Sequence, residues 1–194
     1  RIIRGNLDKI APLDIALIAP SHGPIYDDPA FIVKAYAEWI ADEPKNEVVL
    51  PYVTMHGSTA RMVETLVAAL AERGIRVHQF DLSATDLGKL AITLVDAATL
   101  IVGTPTVLTG AHPQAASAAY LVNALRPKLR FVSVIGSYGW GGKAVEQLLG
   151  LLSNLKVEVL EPVLCKGLPK EEDYAALERL AETVAAKHRE LGLL

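Results

Sequence analysis

"VVLPYVTMHGSTARM", residues 48–62, sets a short apolar run against a turn crowded with hydroxyls and glycine, then opens onto helical spacing. Val48 to Val53 is β-branched and aromatic, the composition of a strand buried on both faces, with Pro51 its one discordant residue. After the turn, Met62, Leu66, Val67, Leu70 and Ala71 recur at helical spacing, and Gly74 stands where a glycine would end the helix. The stretch therefore reads as strand, turn and helix. The first N–H groups of such a helix point into the turn and the helix dipole adds partial positive charge, so an anion is the natural guest.

The side chains narrow that guest. Thr54, Ser58 and Thr59 offer hydroxyl donors, His56 adds another donor, and Gly57 lets the backbone come close. A triphosphate loop would need G-x-x-x-x-G-K-[ST], yet no lysine occurs between Lys45 and Lys89, and a G-x-G-x-x-G fingerprint is absent. What remains is a loop for one terminal phosphate monoester held by neutral donors, or a plain Ser/Thr helix cap with no guest.

Working outward, apolar runs at 48–53, 75–82, 99–103, 130–136 and 157–164 alternate with helical patterns at 59–73, 85–96, 113–125, 143–154 and 171–191. This order predicts an α/β fold: a doubly wound five-stranded parallel sheet with helices on both faces and right-handed crossovers. The terminal helix carries Tyr174, Leu177, Leu180, Val184 and His188 near one stripe, so His188 reads as a surface or packing residue, and His78 as structural within a strand. Upstream, 2–13 reads as a helix, "DIALIAP" (14–20) as a strand, and 28–44 as a helix with Asp28 as N-cap and Pro29 at its first position. "EPKNE" (43–47) reads as a linker, which divides the chain into 1–45 and 46–194.

The 194 residues suffice for one full domain and an appendage, and 51% hydrophobic with 21% charged residues is ordinary for a globular protein. A net charge of −3 leaves no basic footprint, so no nucleic-acid partner is expected. Cys165 is the single cysteine, which excludes an internal disulfide and fits a reducing, cytoplasmic setting. Apolar stretches break at Asp96 or Gly103 before membrane-spanning length, so no membrane association is expected. The chain opens on Arg1 rather than methionine, from which a processed piece, or one lacking its upstream part, is expected.

In an open parallel sheet, ligands sit beyond the carboxyl ends of the strands. Two further loops stand there: "TPTVLTGAHP" (104–113) and "GSYGWGG" (136–142). The second interleaves four glycines with Tyr138 and Trp140, a backbone that can approach a flat ligand and aromatic faces that can stack on it. A phosphate at the first loop and a planar ring at the other two describe flavin mononucleotide (FMN). His22, in "APSHGPIY" (19–26), reads from the residues alone as a turn histidine, because no cluster of His and carboxylates at ligand spacing accompanies it.

"TMHGSTARM", "VGTPT" and "IGSYGWGG", in this order, resemble the flavodoxin-like domain of flavodiiron proteins, and "APSHGPIY" resembles the end of the metallo-β-lactamase-like domain that precedes it in that family. The resemblance implies a short remnant of that domain at 1–45 and an FMN-binding domain at 46–194. It implies that Thr54, Met55, His56, Gly57, Ser58 and Thr59 cradle the FMN phosphate. Thr104, Pro105 and Thr106 would begin the loop beside the flavin ring, with Ser137, Tyr138, Gly139, Trp140 and Gly141 on its other side. His22 would match the last histidine ligand of a di-iron site whose other ligands lie upstream, in the intact parent protein only. Two departures stand out: the family often has asparagines where Val107, Leu108 and Thr109 stand, and a larger aromatic at His56.

Through the same resemblance, electrons from a rubredoxin or a reduced-cofactor oxidoreductase would pass through FMN to a di-iron centre that reduces dioxygen or nitric oxide, in a homodimer or higher oligomer. The chain alone is expected to be an electron carrier, with no catalytic residue of its own. A flavodoxin-like NAD(P)H–quinone reductase is the alternative, but it leaves "PSHGP" unexplained. A receiver-type signalling domain would need an acidic cluster at the strand ends, where this chain has Thr54 and Met55.

Overall fold

A computed structural model describes residues 2–194, so Arg1, on which the reading of a processed start rests, lies outside the described residues. The chain forms two compact units, one ending at Glu43 and one running from Pro44 to Leu194.

The first unit holds helices α1 (Ile2–Ile10) and α2 (Pro29–Ile40). Asp28 caps α2 as its sequence position predicts, its carboxylate accepting from Phe31 N–H at 3.4 Å, with Pro29 at the first helical position. The strand expected over 14–20 does not form. Ile18 instead makes one isolated antiparallel bridge with Tyr26, and the next positions toward the turn, Pro20 and Pro24, have no N–H to continue the pairing. No described side chain of this unit is buried.

The second unit is a three-layer α/β structure. Its elements are β1 (Lys45–Tyr52), α3 (Ser58–Glu72), β2 (Arg76–Asp81), α4 (Leu87–Leu94), β3 (Ala97–Val107), β4 (Gly110–Ala111), α5 (Pro113–Leu125), β5 (Phe131–Tyr138), α6 (Ala144–Leu151), β6 (Glu158–Val159), β7 (Val163–Lys166) and α7 (Glu171–Glu190). The sheet runs β2-β1-β3-β5, with β6 and β7 sharing the fifth position beside β5, all parallel. This is the 2-1-3-4-5 order of doubly wound sheets, whose switch point lies between the first and third strands. Residues 45–47, read from sequence as linker, begin β1: Lys45 N–H donates to Asp96 C=O at 2.6 Å, and Lys45 Nζ meets the Asp96 carboxylate at 2.7 Å.

The fifth strand expected over 157–164 is broken at 160–162. Pro162 has no N–H for the ladder, and the Glu161 carbonyl turns aside to accept from Ser133 Oγ at 3.2 Å. The third strand is longer than expected, since β3 and β5 stay paired as far as Pro105 opposite Ser137. Thr104 to Thr106 and Gly136 to Tyr138 are thus strand ends rather than loops.

Side chains alternate along β1 and send Val48 and Leu50 to one face and Val49 to the other. On the first face, Met62, Val63, Leu66 and Leu70 of α3 join Leu177, Leu180 and Val184 of α7 over Ile101, Ile135 and Val163. On the second, α4, α5 and α6 bring Leu90, Leu94, Ala115, Ala119 and Leu148 against Leu100, Val102, Val132 and Val134. Burial on two faces explains why the strands read as continuous apolar runs. Close packing also restricts the strands: a Cβ on Gly136 would stand 2.0 Å from the Thr104 carbonyl oxygen of the paired strand.

His188 is fully buried, a packing residue rather than a surface one. Asn46 Nδ2 donates to Gly74 C=O at 2.9 Å, so Asn46 Oδ1 faces His188 Nδ1 at 2.7 Å and accepts its proton. Nε2 is then the acceptor for Thr99 Oγ1, 2.8 Å away. This chain of bonds ties α7 to β1, β3 and the turn after α3. His78 is half-buried and meets Glu47 at 3.0 Å. No described helix is long and apolar enough to cross a membrane.

Candidate functional site

A cleft of about 690 Å³ opens at the carboxyl ends of β1, β3, β5 and β7. That volume falls within the range of small-molecule sites, roughly 300–1,000 Å³. Its first wall is the turn from β1 to α3. Gly57 is the N-cap of α3 at φ 84°, a left-handed conformation that glycine adopts without strain. No side chain caps the helix, and Thr54 Oγ1 instead accepts from Gly57 N–H at 3.1 Å, closing the turn upstream of it. Ser58 and Thr59 are therefore the first helical residues and not its caps, which removes the guest-free cap as an account of these hydroxyls. The first turn of α3, whose amides have no intrahelical partner and carry their share of the helix dipole, stands at the cleft, which Thr54, Met55, His56, Ser58 and Thr59 line on this side. Thr59 is fully buried, and its hydroxyl lies 3.5 Å from Ser137 Oγ at the foot of the facing wall.

The second wall is a hairpin. Pro105, Thr106, Val107 and Leu108 line it, and two residues, Leu108 and Thr109, make the turn into β4. The third wall is the end of β5 with the loop after it: Ser137, Tyr138, Gly139 and Trp140. Lys143 N–H donates to Thr109 C=O at 2.6 Å and Ala111 N–H donates to Gln147 Oε1 at 2.9 Å, so these two walls are bound to each other.

The structure gathers most of the expected residues round one cleft. Three stand back from it. Thr104 is buried, and its hydroxyl accepts from His112 N–H at 2.9 Å and donates to Pro105 C=O at 2.9 Å, which shapes the hairpin from behind. Gly57 contributes through the backbone of its turn, and Gly141, at φ 99°, turns the chain back toward α6. Gly167 and Leu168 line the cleft and were missed from sequence. The signal was present: Gly167 and Pro169 follow the fifth strand, whose carboxyl end the ligand rule also covers. Gly167 N–H donates to Tyr138 C=O at 2.9 Å, which fastens that turn to the third wall.

Apart from His56, the polar side chains lining the cleft are hydroxyls. Among the described residues no lysine, arginine or carboxylate lines the cleft, and Met55, Leu108, Trp140 and Leu168 make its rim apolar and exposed. Cys165, beside it on β7, is buried with Sγ 3.5 Å from Met62 Sδ, and burial pushes its thiol up to about 11, so it is inert. His22 stands exposed in its turn, and no three His, Cys, Asp or Glu side chains gather at ligand spacing among the described residues.

Residues 50–185 match the family model described as Flavodoxin, and the chain belongs to the flavodoxin family. Within that family it corresponds to the flavodoxin-like part of the flavodiiron proteins. It is 34% identical over 191 residues to the nitric oxide reductase of Moorella thermoacetica, covering 96% of this chain and 48% of that protein. To the rubredoxin-oxygen oxidoreductase of Megalodesulfovibrio gigas it is 31% identical over 172 residues, covering 87% and 43%. The solved rubredoxin oxygen:oxidoreductase of Desulfovibrio gigas superposes with a TM-score of 0.90 at 27% identity, over 99% of this chain and 49% of that one. The chain thus spans about half the length of these relatives.

Proposed function

We propose that this chain is the FMN-binding electron-transfer domain of a flavodiiron-type oxidoreductase. The observation that carries the reading is the first wall: an uncapped helix N-terminus ringed by neutral hydroxyls, facing a hairpin and an aromatic loop across one cleft. Such a set fits a phosphate monoester with a flat ring beyond it, and a cleft without fixed positive charge holds the phosphate by hydrogen bonds and dipole rather than by ion pairs. Bound FMN would supply one- and two-electron chemistry, which belongs to the cofactor. The backbone amides of α3, with Thr54, Ser58 and Thr59, would hold the phosphate. Tyr138 and Trp140 would flank the ring and keep water from one side of it.

In the intact protein, electrons from a rubredoxin or a reduced-cofactor oxidoreductase would pass through this domain to a di-iron site reducing dioxygen or nitric oxide. Residues 1–45 would be the end of a metallo-β-lactamase-like domain, with His22 a ligand of that site and the protein a homodimer or larger oligomer. The names of the relatives, and an alignment that takes in the first unit as well as the second, support this over a quinone reductase.

Reconstitution with FMN should give flavin absorption bands, and a chain that stays colourless would sink the reading. Ser58→Ala and Thr59→Ala should each weaken FMN by roughly ten- to a hundredfold, the worth of a charge-assisted hydrogen bond of about 1.5–3 kcal/mol, while riboflavin, lacking the phosphate, changes little. Equal losses for both ligands would refute the phosphate assignment.

A further inference from the structure

We propose that Gln147, which stands on α6 and does not line the cleft, is a positioning residue: its side-chain carbonyl holds the β3–β4 hairpin in the form that a ligand of the cleft meets. The inference rests on the flavin reading above for the identity of that ligand. The hairpin does not hold itself. Its turn needs positive φ at both Leu108 and Thr109, 46° and 69°, a conformation that suits Asn-Gly and that leucine and threonine disfavour. Behind the turn, β4 is two residues long and pairs with β3 alone among the described strands. In such a ladder Val107 and Gly110 exchange the hydrogen bonds next to the turn, so the following pair, Thr106 and Ala111, turns its N–H groups outward. Ala111 is buried, and an outward N–H left there without a partner would disfavour the paired form.

Gln147 supplies the partner. It is an otherwise exposed residue of a short helix, and Ala111 N–H donates to its Oε1 at 2.9 Å. One helical turn earlier, Lys143 N–H donates to Thr109 C=O at 2.6 Å, so α6 grips the hairpin on both sides of Gly110, once by backbone and once by side chain. Gln147 N–H donates in turn to Lys143 C=O at 2.9 Å, which keeps the two grips at helical spacing. The fit is close: Gly110 has no room for a Cβ, which would run into Gln147 Oε1. Strained conformations persist only where their surroundings over-determine them, so losing the Gln147 bond lets the hairpin relax from the form that lines the cleft.

The test combines hydrogen exchange at the Ala111 amide of the flavin-free chain with the Kd for FMN and for riboflavin. Gln147→Leu should speed that exchange by roughly tenfold and weaken both flavins by a similar factor, because only chains with the hairpin in place bind. Gln147→Glu keeps an acceptor and should restore the protection and the riboflavin Kd, riboflavin having no phosphate for the added charge to repel. Gly110→Ala leaves Gln147 in the sequence but pushes its carbonyl aside, so it should reproduce Gln147→Leu, and the double variant should lose no more than either alone. A glutamine that serves stability only would lower the melting temperature of Gln147→Leu and leave both Kd values unchanged. That result overturns the inference alone, as does a Gln147→Glu chain that fails as Gln147→Leu does. A wild-type chain that takes up no flavin overturns the reading of the cleft and this inference with it.

Discussion

His188 makes two hydrogen bonds in a site with no water contact, one as donor to Asn46 and one as acceptor from Thr99. Burial alone pushes its imidazole down from 6.5 to about 4. Between those values the unfolded chain binds a proton that the folded chain refuses, so stability rises with pH across the window and falls away as the pH drops from about 6.5 toward 4. The full effect is about 3 kcal/mol. Urea midpoints measured from pH 4.5 to 7.5 should show this slope in wild type and lack it in His188→Leu, which will also be less stable throughout because Asn46 and Thr99 lose their partner. Parallel slopes would mean that another group carries the dependence. The same residue marks a limit of sequence reading: spacing places it on the apolar stripe of α7, but its partners lie 89 and 142 residues away in sequence, and nothing local announces them.

At the scale of elements, the five helical patterns and four of the five apolar runs of the second unit form as expected, and the fifth run forms as two short strands, because burial on two faces leaves a continuous apolar signature in the sequence. The ends were less legible. β3 and β5 run on into what reads as loop, since each is held by its neighbour through Pro105 and Ser137, a pairing visible only once the strands are side by side. The site divides in the same way: turns rich in glycine and hydroxyls could be read, whereas Gly167 and Leu168 sit in an ordinary-looking turn that the sheet carries to the cleft. Glycines test this packing directly. Gly136→Ala would drive a methyl into the Thr104 carbonyl, and a loss of about 2 kcal/mol or more is expected. Gly150→Ala, within α6 and facing nothing within 4 Å, should instead gain about 0.5–1 kcal/mol. Chemical denaturation of the two variants should give opposite signs, and a shared sign would contradict the packing described.

At the scale of the whole molecule, the second unit contains every residue lining the cleft and both halves of the core. A chain beginning at Pro44 should therefore fold cooperatively and bind FMN with the affinity of the full chain, as circular dichroism and flavin titration would check. Loss of binding on removal of 1–43 would show that the first unit supports the cleft. The break in the fifth strand bears on how such chains behave in a crowd. A parallel sheet left open at its border offers unpaired N–H and C=O groups to any extended segment that drifts by, and long smooth borders recruit neighbours into fibrous stacks. Here that border is two short pieces split at Pro162, which no incoming strand can follow in register. On this side, opposite the β2 border, the interruption lets the sheet end without inviting another molecule to continue it.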